Sequence, residues 1–247
     1  AARGVATQVD AALKQFVNNF TTAVNPQITK SYAQGDLDYM HKLVCRSAKF
    51  SAFLMMFFAV PIILETNTIL TIWLKTVPNY AVIFLQWIII SSFMDTVLAN
   101  SLVTSMFATG KIKRYQIIVT TIGCLVFPLS WIAFKLGFEP QVGYILYFII
   151  YTILLFVRLY LLKDMVKIPV MMYIREVLYK LAPVIVVGFA IPGILILTMD
   201  AGWLRLILVC LLSVLVTAAS EYFIGLSNKE KDFVDEKIKL VIGKIKK

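Results

Sequence analysis

Long apolar runs, rather than alternation of polar and apolar positions, dominate this chain of 247 residues. Six of them, at roughly Leu43–Leu64, Tyr80–Phe107, Tyr115–Gly137, Gly143–Leu162, Val177–Met199 and Trp203–Ile224, have the length of a membrane-crossing helix. About 20 residues at helical rise cover a hydrocarbon layer about 30 Å thick. Pro61, Pro128, Pro183 and Pro192 fall inside these runs, where kinks are expected because neighbouring groups re-satisfy the freed carbonyls. Trp73, Tyr80, Trp131, Tyr144, Trp203 and Tyr222 fall near the run ends, as amphipathic rings do at a membrane–water boundary. A seventh segment, Gly4–Val24, is different. Arg3, Thr7, Asp10, Lys14, Asn18, Thr21 and Asn25 recur every three or four residues, while Val5, Val9, Leu13, Phe16, Phe20 and Val24 form a separate apolar stripe. Both repeats are helical. The pattern predicts an all-α polytopic membrane protein of about seven transmembrane helices.

Composition agrees with that class. Hydrophobic residues make up 60% of the chain and the mean hydropathy is +0.83, beyond what a soluble domain with roughly half its residues apolar can hide from water. The formal charge of +10 is unevenly placed. Nineteen Lys and Arg residues fall in one set of connections and in the tail, from Lys30 and Lys42 through Lys111 and Arg158 to Lys247, while the opposite set holds only Lys75, Lys135 and Arg205. Under the positive-inside rule this puts the C-terminus in the cytoplasm and runs the first helix from outside to inside. The asymmetry accounts for the charge, so no nucleic acid is expected. In the tail, Val234, Ile238, Val241 and Ile245 repeat at helical spacing among lysines, the pattern of an amphipathic helix on an anionic leaflet. The stretch KDMVKIPVMMYIRE reads as a second interfacial elbow. Cys45, Cys124 and Cys210 are scattered, with no metal spacing. His41, the single histidine, reads as a solvated loop residue. The opening AARGVATQ has no Met and no signal-peptide pattern, so the chain is expected to be a fragment of a longer protein.

The first segment carries the candidate chemistry. Asp10 and Lys14 stand at i and i+4, with the acid N-terminal. Such a pair returns only about 0.2–0.5 kcal/mol in water, whereas an uncompensated Lys or Asp at the bilayer midplane costs about 2.5–3.5 kcal/mol. Pairing alone does not justify these residues. Three readings remain: a surface helix that never crosses, a polar stripe hydrogen-bonded to another helix, or a helix lining a polar cavity. Asp95, in SSFMDTVLANS, is a second mid-span charge and a candidate for ion coupling. Glu221 lies near a span end and needs no special role. No phosphate-cradling glycine loop, metal cluster or nucleophile–base pair is visible; TGKIKR lacks the preceding glycines. The expectation is a non-enzyme without cofactor or metal.

The stretches AARGVATQVDAAL, FVNNFTTAVNPQITKSYAQGD, RSAKFSAFL, PIILETNTILTIWLK and ATGKIKRYQI resemble the second half of Wzx-like oligosaccharide and polysaccharide flippases. These belong to the MATE-like superfamily of multidrug, oligosaccharidyl-lipid and polysaccharide exporters. The likeness covers Ala1 to about Arg158 and is hydropathic beyond. It implies a two-lobe transporter about twice this length, with the substrate between internal repeats. This chain would begin at the eighth helix and lack the N-terminal lobe. Residues 1–162 would be the C-terminal lobe without its first helix, 163–224 two additional helices, and 225–247 a basic cytoplasmic tail. The resemblance implies flipping of a polyprenyl-pyrophosphate-linked oligosaccharide, an O-antigen or capsule repeat unit, across the bacterial inner membrane. The expected partners are that lipid-linked substrate, membrane lipids and the missing lobe. Arg3 and Lys14 become candidate anion contacts, and Gln15, Asn18 and Thr22 candidate sugar contacts. Asp10 departs from a purely cationic stripe. A MATE-type drug or cation antiporter, in which Asp10 and Asp95 would dominate, is the alternative, with a membrane polysaccharide polymerase after it.

Overall fold

The computed structural model describes residues 1–228, 230–232 and 234–236. These residues are helical with no strand, and six helices are long and apolar enough to cross a membrane. The protein is an all-α polytopic membrane protein. In chain order the helices are α1 (Ala2–Ala33), α2 (Leu37–Leu64), α3 (Thr66–Leu74), α4 (Ala81–Ala108), α5 (Ile112–Lys135), α6 (Val142–Val166), α7 (Val170–Thr198) and α8 (Trp203–Gly225). Of these, α2 and α4 to α8 are the six candidate spans. The expected tail repeat beyond Val234, at Ile238, Val241 and Ile245, lies outside the described residues.

Helix α1 has 32 residues, about 48 Å at 1.5 Å per residue. It ends in YAQGD. Gly35 takes a left-handed conformation, φ 75°. The Asp36 N–H then reaches the Ser31 carbonyl and the Gly35 N–H reaches that of Tyr32, which is the Schellman pattern. Asp36 next caps α2 by accepting the Tyr39 N–H at 3.0 Å. This turn sends α2 back antiparallel along α1, and the ring pairs Phe16–Phe58 and Phe20–Phe50 form at centroid distances of 4.8 and 6.4 Å.

On its other side α1 runs parallel to α4. Ser92 of α4 bonds Asp10, and further along Asn100 donates to Thr21 at 3.3 Å. Residues 10–21 of α1 therefore lie level with residues 92–100 of α4, and Lys14 sits level with the middle of that span. The remaining helices flank this trio. Helix α6 packs on α4 and carries α5 on its outer side, while the α7–α8 hairpin packs on α2. Helix α5 is the least covered of the spans, with Phe127 79% and Trp131 57% exposed.

Several polar residues fall elsewhere than expected. His41 belongs to α2, not to a loop; it is buried, with Nε2 2.8 Å from the Val166 carbonyl at the end of α6. Helix α2 starts six residues before the apolar run because the Asp36 cap can begin it in polar sequence. The elbow after α6 shrinks to Lys167–Pro169, with Lys167 left-handed, and MMYIRE is already part of α7. Lys49, Arg158 and Glu221, expected at the membrane edge, are all buried within helices.

Candidate functional site

A cavity of about 740 Å³ opens between α1, α4, α5 and α6. Helix α1 supplies Arg3, Thr7, Asp10 and Lys14 to it, residues at i, i+4, i+7 and i+11 that share one helical face. The Lys14 ammonium lies 2.9 Å from the Asp10 carboxylate. Asp10 is closed in, its side chain 6% exposed, whereas Lys14 keeps 27% of its side-chain surface open. The Ser92 hydroxyl, itself within reach of the Ile88 carbonyl at 2.9 Å, donates to Asp10. One carboxylate is thus held by a cation and a hydroxyl, and the cation still faces open space.

The opposite wall is aromatic. Tyr144, Tyr147 and Tyr151 of α6 line the cavity, spaced so that one helix face presents all three. Tyr147 and Tyr151 stack at 4.1 Å, and Phe127 and Phe134 of α5 close the outer side. The wall offers flat aromatic faces suited to stacking, while the Tyr147 hydroxyl is turned to Asp95 behind it and the Tyr144 hydroxyl is buried. With Arg3 and Lys14 against Asp10, the charged lining carries a net positive charge.

Asp95 does not line the cavity. It sits one layer behind, in a π-helical turn at Phe93–Val97, and accepts a hydrogen bond from the Tyr147 hydroxyl at 2.7 Å. Tyr147 therefore links the cavity wall to the second mid-span acid. Turns of this kind insert one extra residue into a helix and recur at functional sites. The carbonyl of Leu98, just past the turn, is taken up by the fully buried Tyr173 hydroxyl of α7 at 2.7 Å.

The expected cavity residues of α1 fall on two faces. Arg3, Asp10 and Lys14 converge on the cavity, but Gln15, Asn18 and Thr22 do not. Those three lie on an exposed face, where Gln15 donates to Asn19 at 3.2 Å and Thr22 to the Asn18 carbonyl at 2.7 Å. The physical reason is angular: Gln15 and Thr22 each stand one residue, about 100° around the helix, from the inward Lys14 and Thr21, and Asn18 lies at the edge of the stripe on their side. Thr21, buried and bonded to Asn100, marks where the inward face continues. Sequence reasoning missed Ser92 and the tyrosine wall; the spacing of Tyr144, Tyr147 and Tyr151 within one span was the available signal.

Fold and site together define a multi-pass α-helical membrane protein with a largely apolar, tyrosine-walled cavity whose few charged groups sum to a net positive charge. No family model, no curated protein and no solved structure matches the chain.

Proposed function

We propose that this chain is the C-terminal part of a transporter that flips a lipid-linked oligosaccharide across the bacterial inner membrane, with its C-terminus in the cytoplasm. One observation carries the reading. Lys14 is level with the middle of a membrane-crossing helix, and its ammonium looks into a cavity beside an acid that only partly offsets it. A Lys at bilayer centre costs about 2.5–3.5 kcal/mol, and an i,i+4 partner in water returns at most about a fifth of that. A hydrated chamber or an anionic ligand compensates the remainder. A pyrophosphate–sugar head suits a lining of Arg3, Lys14 and stacked tyrosines, while its lipid tail stays among the helices' exposed apolar faces.

The antiporter reading retains one observation in its favour: Asp10 is in the cavity and Asp95 is one tyrosine behind it. Complementation of a flippase-deficient strain with the complete gene separates the two. Lys14→Ala is expected to abolish surface glycan at normal expression, with Arg3→Ala reducing it. Normal glycan in both variants rules the reading out. Loss of drug export without loss of glycan, on Asp95→Asn, favours the antiporter instead.

A further inference from the structure

Arg158 lies outside the cavity and has no place in the site above. It occupies the second half of α6, is 7% exposed, and its Nε and Nη1 are buried without an acceptor. The Tyr115 hydroxyl of α5, the helix that packs on α6, is 1% exposed and equally without a partner. The Arg158 guanidinium carbon stands 6.0 Å from the centre of the Tyr151 ring, the same ring that forms part of the cavity wall. Every Asp and Glu of the chain is among the described residues, and none of the ion pairs among them involves Arg158.

These groups leave one charge without a counter-charge. The guanidinium can only donate and carries a full positive charge, the phenol has a proton to donate, and the ring face offers no formal negative charge. A buried cation inside a membrane span is retained only where something compensates it. Water would satisfy the N–H groups but would leave the charge. A large polyanion does not fit, because Arg158 does not border the 740 Å³ cavity. We propose that Arg158 and Tyr115, capped by the Tyr151 ring, bind a small monovalent anion such as chloride. The anion accepts from the guanidinium and the phenol, and reaches them from the cavity past the edge of Tyr151.

The test needs no transport activity. The complete protein, in lipid nanodiscs, is unfolded thermally in increasing sodium chloride or sodium gluconate at constant ionic strength. A ligand that binds only the folded state raises the midpoint in a saturable way. The wild type is expected to show that rise in chloride and bromide but not in gluconate. Arg158→Met removes it, and Tyr115→Phe shifts it to several-fold higher halide. Identical curves in chloride and gluconate overturn the proposal, as does a full halide response in Arg158→Met. Where Arg158→Met does not fold, chloride-35 NMR of the wild type and Tyr115→Phe decides: line broadening weakened in the variant supports the site, and equal or absent broadening overturns it.

Discussion

The two sides of α2 and α1 treat buried charge in opposite ways. On the α2–α8 side, Lys49 is 1% exposed and meets Glu230 at 2.5 Å, and Arg205 grips Glu65 through two nitrogens at 2.7 and 3.1 Å while also donating to the Met199 carbonyl. Glu230 is fixed further by the Ser227 N–H and hydroxyl at 2.8 and 2.7 Å. Between these two clamps the helices approach closely: a Cβ at Gly225 would stand 2.3 Å from the Phe53 ring, and one at Gly188 would stand 3.3 Å from Met56. On the α1–α4–α6 side the Asp10–Lys14 pair has one partly open member and a cavity in front of it. The same residue types thus fasten one half of the molecule and leave the other half able to meet a ligand. Charge at membrane depth is informative only together with what closes over it.

The contrast breaks most readily at its tight end. Arg205→Ala strands a buried Glu65, and loss of one member of a buried pair costs about 3–5 kcal/mol; chemical unfolding in mixed micelles should show a correspondingly early transition. Gly225→Ala pushes a methyl group into the Phe53 ring, and overpacking of this kind costs about 1–3 kcal/mol, read in the same assay. Tyr173→Phe leaves the Leu98 carbonyl without its partner, at about 1–3 kcal/mol for a buried group.

A smaller effect concerns acid. Burial works against the Glu230 charge, but the Lys49 and Ser227 bonds outweigh it, so this carboxyl lies below its ordinary value of 4.5. A depressed carboxyl adds stability that is complete above the ordinary value and fades as pH falls through the folded one. Detachment of the tail, followed by protease access near Ser227, should therefore be absent at neutral pH and begin only below about pH 4.5. Lys14→Ala sits at the loose end of the comparison. It leaves the buried Asp10 with the Ser92 hydroxyl as its remaining partner, but because Lys14 is itself partly open the loss of stability should be smaller than for Arg205→Ala in the same assay, while the cavity loses its central cation.

The membrane class was legible because lipid leaves little choice: six apolar runs of spanning length became the six candidate spans. The i,i+4 relation of Asp10 and Lys14 was also legible, since helix geometry fixes it. Polar residues near span ends were not. Lys49 and His41 read as residues of the connections because polar groups stand beside them in sequence, and Arg158 because it is a cation near the end of an apolar run. Their burial depends on partners far along the chain: Glu230 for Lys49, the Val166 carbonyl for His41. The π-helical turn at Asp95 has no sequence signature, as it depends on how α4 meets α6 and α7. The outward placement of Gln15 and Thr22, one residue off the stripe, was calculable, but which face turns inward depended on where α2 and α4 dock.

Tyr173 gives the terminal helices a mechanical consequence. Its hydroxyl hooks the backbone immediately beyond the widened turn that carries Asp95, so α7 is tethered to α4 at that one spot. Through Asp95 and Tyr147 the C-terminal hairpin is thereby fastened to the wall of the chamber, not merely leaned against the bundle.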